Sequence, residues 1–438
     1  MIITAVLFST TVNAQFWKAM GKGSLSPYEI QRLFADTVEN RLLGSGTFDL
    51  IINDDDTVEA HGQAVWNGTR WDSLAHRVVP GHGQTYWFLR YQGALYSCGA
   101  NGFFTPEGDV NYSFARLNEQ TEYWEALECL NSPWNGLSQL VPRFANPVLY
   151  ATGYPGTLCD QDITNVYVYD GLGFIPWAPF GQVEYDSDNY IGSVFDYRGK
   201  TYVSGDFRDP LGPGYATFMR WTGAEWEYVP GWNNSGILKD FLVHNDTLYV
   251  TGSFRTVSGA PGNLVASFDG ESWNSLGEGL AYFPNGSTGS GFDLEWYHGA
   301  LLVAGQFNRA GGVEVDRIAK WDGVRWCGFP GDFQGSSFLY DMAVWRDTLY
   351  ICGGFNTIDG EPIRQVAQWI GGDAVGECST VGIAEQAAAR PLSIVPLADA
   401  GQWEVRYPFP GNWTLTAYDA TGRQISTWTT KSGGQAID

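Results

Sequence analysis

Two stretches, LVASFDGESW (264–273) and IAKWDGVRW (318–326), share an aromatic-Asp-Gly core that is followed three residues later by Trp. Related copies recur along the chain as AVWNGTRW, VYVYDGLGFIPW, FMRWTGAEW and VAQWIGG, with FARLNEQTEYW as a degenerate member. Each copy reads as an alternating strand, a turn with Gly where the backbone becomes left-handed, and a second strand led by Trp. The sequence therefore predicts seven β-hairpins.

A second motif, a strand that ends in glycine, accompanies these hairpins. Its copies are LYSCG, LYATG, TYVSG, LYVTG, LLVAG and LYICG, and their glycines are separated by 54, 52, 47, 53 and 48 residues. A period of about 50 residues is typical of a propeller blade. One four-stranded sheet cannot bury both of its faces, so we expect the copies to stack around a ring with tryptophans between blades. The prediction is a six-bladed β-propeller, or a seven-bladed one if residues 46–74 form a blade, closed by N-terminal strands that complete the last blade.

The composition agrees with an all-β fold and excludes some partners. The chain has 55 glycines, 15% aromatic residues and only 17% charged residues, which describes short strands and tight turns better than helices. The net charge of -23 opposes binding to phosphate backbones. We therefore expect no nucleic-acid partner.

The first 14 residues have the apolar run of a secretory signal, and Val12-Asn13-Ala14 before Gln15 fits a cleavage site. The basic start of such a signal is missing, so we interpret the segment as a clipped signal peptide; a buried N-terminal strand is the alternative. No other segment reaches the roughly 20 apolar residues that a membrane-spanning helix needs. The prediction is an exported protein without a membrane span.

One helix is predicted, in a segment over residues 15–45 that precedes the propeller at 46–378. Ser26 as N-cap, Pro27 at the first position and Glu29 in a capping box indicate its start, and Gly44 its end. Ile30, Leu33, Phe34, Val38 and Leu42 supply an apolar stripe. We expect this helix to dock on the propeller.

The repeat stops after Cys378, and residues 379–438 form a linker and a different unit. Short alternating strands with a turn at residues 419–422 predict a small β-sandwich. This segment resembles the C-terminal sorting domain of type IX secretion substrates in its VGI entry, its LSIVPLADAG strand and turn, and its TLTAYDATGRQI strand. The sorting motif falls on Tyr418, Asp419, Gly422 and Arg423.

That resemblance implies export by the type IX secretion machinery and release or attachment at the outer cell surface. Leu397-Ala398 stands where the family has Asn-Pro, and the chain stops at GGQAID before the family's last strand, so we expect the sandwich to be truncated. The propeller also looks like kelch-type repeats in its period, its glycine-ended strand and its later tryptophan. Only Gly353-Gly354 supplies the kelch Gly-Gly pair.

Six cysteines, at positions 98, 129, 159, 327, 352 and 378, suit an oxidising compartment and allow up to three disulfides. Cys98 and Cys352 each precede a repeat glycine, where a small buried residue suffices, so we expect free core thiols. Cys327 and Cys378 lie near the ends of the last two repeats and are the preferred bridge.

No metal or cofactor motif stands out. The five histidines, at 61, 76, 82, 244 and 298, lack ligand spacing, and PGHG around His82 reads as a surface loop. The run from Asn53 to Asp56 is rich in oxygen ligands but lacks EF-hand spacing, so a solvated β-turn is the better interpretation. We expect no cofactor.

Enzymatic residues are not distinguishable from surface charges. A glycosidase needs two carboxylates about 5 to 10 Å apart, and Asp186, Asp188, Asp206 and Asp209 on loops have no feature that sets them apart. Aromatic residues on the same loops could stack on a sugar ring. The candidate ligand-binding residues are Tyr185, Tyr190, Tyr215 and Trp232.

These observations lead to a functional hypothesis. The chain is expected to be a secreted or surface-displayed propeller that acts as a binding, adhesion or scaffold module, with a glycan or a surface protein as ligand. The alternative is a secreted carbohydrate-active enzyme, because propellers place active sites in the central funnel. Fold alone does not decide between them.

Overall fold

The computed structural model describes most of the chain between residue 15 and residue 437. The described ranges are 15–25, 29–74, 84–100, 102–105, 108–111, 114–126, 137–143, 148–156, 164–182, 190–232, 236–255, 262–282, 289–379, 393–396, 403–406, 412–418, 424–431 and 435–437. The chain divides into two compact units, Met1–Ser379 and Thr380–Asp438.

The described residues of unit 1 form seven four-stranded antiparallel sheets, which we call blades 1 to 7 in chain order. The strands of blades 1 to 4 are Ile30–Asp36, Arg41–Gly46, Gln63–Trp66 and Trp71–Ser73; Gln84–Tyr91, Ala94–Ala100, Phe114–Asn118 and Tyr123–Ala126; Leu137–Arg143, Val148–Gly156, Thr164–Tyr169 and Phe174–Pro176; and Tyr190–Tyr197, Lys200–Arg208, Tyr215–Trp221 and Trp226–Tyr228.

Blades 5 to 7 repeat this arrangement. Their strands are Leu238–His244, Thr247–Gly252, Val265–Phe268 and Trp273–Ser275; Ser290–Tyr297, Ala300–Gln306, Ile318–Trp321 and Trp326–Gly328; and Phe333–Trp345, Thr348–Ile358, Val366–Trp369 and Trp17–Ala19. The first strand of each blade contacts the first strand of the next, and blade 7 contacts blade 1. The predicted all-β propeller is confirmed, with its first strands around a central channel.

Unit 1 also contains smaller elements outside the four-stranded sheets. They are the three-stranded sheet of Gly23–Ser24, Leu50–Ile52 and Thr57–Glu59, the hairpin of Gly102–Thr105 and Gly108–Asn111, the three-stranded sheet of Leu280–Ala281, Arg309–Ala310 and Val313–Glu314, and the 3-10 turn Phe180–Gln182. In the described part of the chain, no helix has the length and apolar character needed to cross a membrane.

The chain closes its ring with an N-terminal strand. Trp17–Ala19 pairs antiparallel with Val366–Trp369 of blade 7, with Trp17 opposite Trp369. Blade 7 therefore takes its fourth strand from the start of the chain, as the missing tryptophan strand of the last repeat predicted. Blade 1 starts at Ile30, so the N-terminal repeat is a complete blade and is longer than residues 46–74.

The predicted N-terminal helix is wrong. Ile30–Asp36 and Arg41–Gly46 are the first two strands of blade 1, joined by a turn in which Asp36 accepts the backbone N–H of Val38. A bulge between Ile30 and Arg32 breaks the strand alternation. Ile30, Leu33 and Asp36 are consequently the buried positions, a spacing of three that mimics a helical stripe. Ser26 and Pro27, the proposed helix start, lie outside the described residues.

The repeat glycine is required by a close approach to the first strand. A Cβ atom added to Gly205, Gly252 or Gly305 would lie within 3.0 Å of a backbone carbonyl oxygen of the neighbouring strand. Real Cβ atoms do not tolerate that distance from backbone. Glycine is therefore required at this position because the bulge in the first strand brings a carbonyl to where a side chain would begin. The predicted strand end at this glycine is correct for Thr247–Gly252 only, since Lys200–Arg208 and Thr348–Ile358 continue beyond it.

Tryptophans of the outer hairpins seal the blades. The indole N–H groups of Trp71, Trp226, Trp273 and Trp326 donate to backbone carbonyls of Met20, Pro179, Pro230 and Leu276, at 2.8, 3.1, 2.9 and 2.7 Å. Trp71 lies in one apolar cluster with Trp345 and Tyr350 of blade 7. The predicted packing of tryptophans between blades is confirmed there.

Unit 2 consists of two small sheets in the described residues. One contains Ser393–Pro396, Trp403–Arg406 and Gln435–Ile437, and the other pairs Asn412–Tyr418 with Gln424–Lys431. The β-strands agree with the alternating pattern of this segment. The sandwich arrangement stays a prediction.

Candidate functional site: the central channel

The first strand of every blade is irregular at one equivalent point, opposite the repeat glycine of its second strand, such as Gly205, Gly252 or Gly353. The register shifts before Arg32 in blade 1, Ser193 in blade 4, Asp240 in blade 5, Asp293 in blade 6 and Asp341 in blade 7. Three successive blades thus place an aspartate at the same position around the channel. We call Asp240, Asp293 and Asp341 the inner aspartates.

Each inner aspartate binds the next blade. Asp240 accepts the backbone N–H of Leu294 at 2.9 Å, and Asp293 accepts that of Met342 at 2.9 Å. Asp341 accepts the backbone N–H of Leu33 across the closure at 2.6 Å. In each case the donor belongs to the residue that follows the equivalent position in the neighbouring blade. A charged acceptor makes such hydrogen bonds stronger than neutral ones.

A single arginine faces this row of acids. The Arg32 guanidinium donates to Asp341 at 3.1 Å, and it lies 5.2 Å from the ring centre of Trp87. The Asp341 side chain is 8% exposed and that of Arg32 is 32% exposed, so the pair lies at the edge of the solvent in the channel. The attraction of Asp341, Asp293 and Asp240 raises the Arg32 pKa against the effect of burial.

The inner aspartates and Glu295 bind protons more tightly than free carboxyls. Burial raises the pKa of Asp240 to about 7, although hydrogen bonds from Leu294 and Phe241 oppose it. Burial, followed by the charges of Asp341 and Asp240, raises the Asp293 pKa well above its usual range. Glu295 reaches a pKa of about 7, mainly through burial.

Asp341 shares this behaviour. Burial raises its pKa, while Arg32 and the N–H of Leu33 act against the increase. The Asp341 charge in turn raises the Asp293 pKa. The two carboxyls therefore do not titrate independently of each other.

Aromatic side chains lie beside the inner aspartates. Phe292 and Tyr340 directly precede Asp293 and Asp341 in sequence, and the Phe292 ring centre lies 6.0 Å from that of Phe338 and 6.3 Å from that of Tyr340. All three rings are partly exposed. We call Phe292, Phe338 and Tyr340 the channel aromatics.

Charged side chains border the channel aromatics. The Tyr340 hydroxyl donates to Glu29 at 2.7 Å. Lys239, which precedes Asp240, keeps contact with solvent, but the protein atoms around its ammonium partly desolvate it and, together with the Arg32 charge, lower its pKa. The channel thus offers aromatic, cationic and anionic groups within one opening.

Sequence reasoning missed the inner aspartates, although a signal was present. Asp240, Asp293 and Asp341 are separated by 53 and 48 residues, the same intervals that separate Gly252, Gly305 and Gly353. The acids are therefore part of the repeat. Their register with the glycines could have marked them as structural positions rather than random surface charges.

Three of the four predicted ligand-binding residues, Tyr190, Tyr215 and Trp232, lie in the described part of the chain. Tyr190 begins the first strand of blade 4, and Tyr215 begins its third strand, where it is 47% exposed and 4.7 Å from the Arg208 guanidinium. Trp232 packs in the core against Phe218, Phe254 and Trp273. Tyr185 lies outside the described residues.

The loop carboxylates have local roles where they are described. Asp209 accepts the backbone N–H of Leu211 at 2.8 Å and the Tyr228 hydroxyl at 2.7 Å, so it orders a turn. Asp206 is exposed. Asp186 and Asp188 lie outside the described residues.

The residues weighed as metal ligands have other contacts. Asn53 is buried and exchanges hydrogen bonds with the Trp71 backbone, and its amide donates to Asp56, so this run is a structured turn. His61 lies 3.4 Å from Asp49, and His244 stacks on Trp296. Within the ranges that the structure describes, no three His, Cys, Asp or Glu side chains are grouped to hold a metal ion. The segments around residues 76 and 82 are not described.

The cysteines divide into bonded and free side chains. Cys327 and Cys378 are joined by a disulfide, which ties blade 6 to the end of unit 1. Cys98 and Cys352 are buried free thiols whose pKa is raised by burial. Cys129 and Cys159 lie outside the described residues. Of the sorting motif, Tyr418 ends a strand, whereas Asp419, Gly422 and Arg423 are not described.

The fold and the channel define this chain as a β-propeller in which aspartate side chains of blades 5, 6 and 7 accept backbone hydrogen bonds from the next blade. No known family model matches the sequence, and no curated protein matches it. Among solved structures it is similar to the extracellular domain of a putative hybrid two component system from B. thetaiotaomicron, with a TM-score of 0.51, 10% identity and coverage of 95% of this chain and 47% of that chain.

A second similar structure is the extracellular domain of a putative one component system from B. thetaiotaomicron. The TM-score is 0.51 at 10% identity, with 82% of this chain and 40% of that chain covered. The present chain thus spans less than half of each structure. At this identity the likeness shows the fold alone.

Proposed function

We propose that the protein is an extracellular binding propeller that serves adhesion or acts as a scaffold, with its ligand at the channel opening. The observation that carries this proposal is the bonding of the inner aspartates. Each inner aspartate accepts a hydrogen bond from a backbone N–H of the next blade, and Asp341 also binds Arg32. These acids stabilise the ring, so the channel opening is left with groups suited to recognition.

The channel aromatics are the recognition surface in this proposal. Partly exposed rings of Phe292, Phe338 and Tyr340 provide apolar contact area, and Lys239 and Arg32 supply hydrogen-bond donors. Sites of this composition bind sugars or protein side chains, because rings give contact area and the polar groups fix orientation. A glycan or a surface protein is therefore the expected partner.

Export by the type IX machinery is the proposed route to the cell surface, and it rests on the sorting motif at residues 418–423. Deleting residues 381–438 should leave the propeller folded but retained inside the cell. Fractionation with an antibody against unit 1 measures this. Normal surface delivery of the shortened chain would contradict the sorting role.

A secreted carbohydrate-active enzyme is the second candidate. One observation favours it: the carboxyls of Asp293 and Asp341 are close enough for the charge of Asp341 to raise the pKa of Asp293. Glycoside hydrolysis needs two carboxyls about 5 to 10 Å apart on either side of the scissile bond. Asp293 and Asp341 each already accept a backbone N–H of the neighbouring blade, which favours a structural role for both.

The binding proposal is tested on the full chain with an array of glycans and cell-surface proteins. The double variant Phe338→Ala, Tyr340→Ala should lose each hit, whereas Tyr228→Ala, at an exposed tyrosine on the outermost strand of blade 4, should keep it. Hits that persist in the double variant would contradict a channel site. Thermal unfolding of each variant shows whether the fold is intact.

A further inference from the structure

A groove of about 780 Å³ crosses the end of blade 4 at its strand-connecting turns. One side of the groove is formed by Trp177 and Pro179, which follow the last strand of blade 3. Trp221, at the end of the third strand of blade 4, also lines the groove. Val243 and Asp246 of blade 5 form the other side. The volume falls in the range of roughly 300 to 1,000 Å³ that is common for small-molecule sites.

The indole rings are fixed in place. Trp177 and Trp221 both pack edge-on against Trp226, at ring-centre distances of 5.9 and 5.6 Å. Trp177 also packs against Tyr150 at 5.7 Å. Rigid aromatic walls reduce the ordering that a ligand must impose on the protein when it binds.

Two charged side chains of the groove, Arg198 and Asp246, form an ion pair. Arg198 donates to both carboxylate oxygens of Asp246, at 3.2 and 2.6 Å, and also to the backbone carbonyl of Asp269. The Arg198 hydrogen bond lowers the Asp246 pKa, so the pair stays ionised at neutral pH. Deeper in the groove, Asp196 accepts the Thr201 hydroxyl at 2.7 Å.

We propose that this groove binds a neutral saccharide. The partly exposed Trp221 ring suits the C–H face of a sugar ring, and the Arg198–Asp246 pair offers donors and acceptors to hydroxyl groups. An anionic ligand is disfavoured because the chain carries a net charge of -23. A purely apolar ligand would cover the ion pair without replacing its hydration. The site is distinct from the channel opening.

The test uses the full chain and a panel of neutral gluco-, xylo- and manno-oligosaccharides, with uronic acid oligomers and an apolar dye as comparison ligands. Val243 is 40% exposed and borders the groove, so Val243→Glu places bulk and charge there without opening the core. Val324→Glu, at a 62% exposed valine on the blade 6 hairpin, is the matched control. Trp221→Phe is a second variant that keeps an aromatic ring but reduces the stacking area.

Calorimetry should detect at least one neutral oligosaccharide. Val243→Glu should weaken the affinity for this oligosaccharide by about tenfold or more, and Trp221→Phe should weaken it less. Val324→Glu should leave the affinity within about twofold of the wild-type value. The double channel variant Phe338→Ala, Tyr340→Ala should bind it normally. The proposal is overturned if no neutral oligosaccharide binds, if only uronic acid oligomers or the dye bind, or if Val243→Glu and Trp221→Phe both bind unchanged. If only the Phe338→Ala, Tyr340→Ala variant loses oligosaccharide binding, the groove proposal is also overturned, and the ligand binds at the channel opening instead.

Discussion

At the scale of single residues, the repeat glycines show how far the sequence could lead. Their spacing predicted a blade period, which is confirmed, whereas most of the strands continue past the glycine. The reason for glycine was not visible, because it depends on the carbonyl of a bulged neighbouring strand. Trp232 shows another limit: it lies between strands as expected, but its partly buried ring packs against the apolar cluster of blades 4 and 5.

Gly305→Ala should destabilise the propeller. The new Cβ would meet the Ser290 carbonyl oxygen inside contact distance, so the backbone must shift, at a cost of about 1 to 3 kcal/mol or more. Gly173→Ala is the control, since a Cβ there meets nothing within 4 Å. Urea unfolding of both variants measures the difference. Equal stability of the two would show that the close approach imposes no constraint.

At the scale of elements, the first strands explain both a success and an error. Hairpin turns and tryptophan strands follow local rules, so the sequence predicted them. The bulge in each first strand follows from contact with the adjacent blade, and no local pattern announces it. In blade 1 the bulge gave buried residues a spacing of three, which was read as a helix. The inner aspartates went unrecognised for the same reason.

The inner aspartates should make stability depend on pH. Their pKa values are raised in the folded chain, to about 7 for Asp240, so the folded state binds more protons than the unfolded state between about pH 4 and pH 7. The contribution of the inner aspartates to the free energy of unfolding should therefore be largest near the lower end of this window and fall as the pH rises toward about 7.

Asp293→Asn should reduce that pH dependence. The amide keeps an acceptor for the Met342 N–H and removes one titrating group, so the variant should gain stability relative to the wild type at about pH 8. Asp206→Asn, at an exposed carboxyl, should follow the wild-type profile. Urea unfolding at several pH values measures the free energy of unfolding of the wild type and of both variants. If Asp293→Asn does not change how this free energy varies with pH, the inner aspartates do not have the proton-binding role assigned to them.

At the scale of the whole molecule, closure was predictable because the first and last repeats have complementary deficits. The blade count needed the structure, since the first strands of blade 1 lack the LYxxG pattern and carry LLGSG instead. The ligand could not be predicted, because the channel aromatics and the groove each combine residues from different blades. Such combinations exist only after the ring has formed.

Trp17→Ala should weaken the entire ring rather than one edge. Trp17 is 1% exposed, packs on Trp369 at 4.8 Å and donates to the Pro330 carbonyl at 2.7 Å. Loss of a buried tryptophan costs about 3 to 5 kcal/mol. Lys18→Ala, at an exposed position of the same strand, should be nearly neutral. The claim fails if Trp17→Ala changes the thermal midpoint no more than Lys18→Ala does.

The central claim is that this propeller binds its ligand without transforming it. The most direct measurement is release of reducing sugar from every glycan that the full chain binds, for the wild type and for Asp293→Asn. The account predicts equal binding by both proteins and recovery of the glycan intact. Sugar release by the wild type that disappears in Asp293→Asn would contradict it and assign the inner aspartates to catalysis.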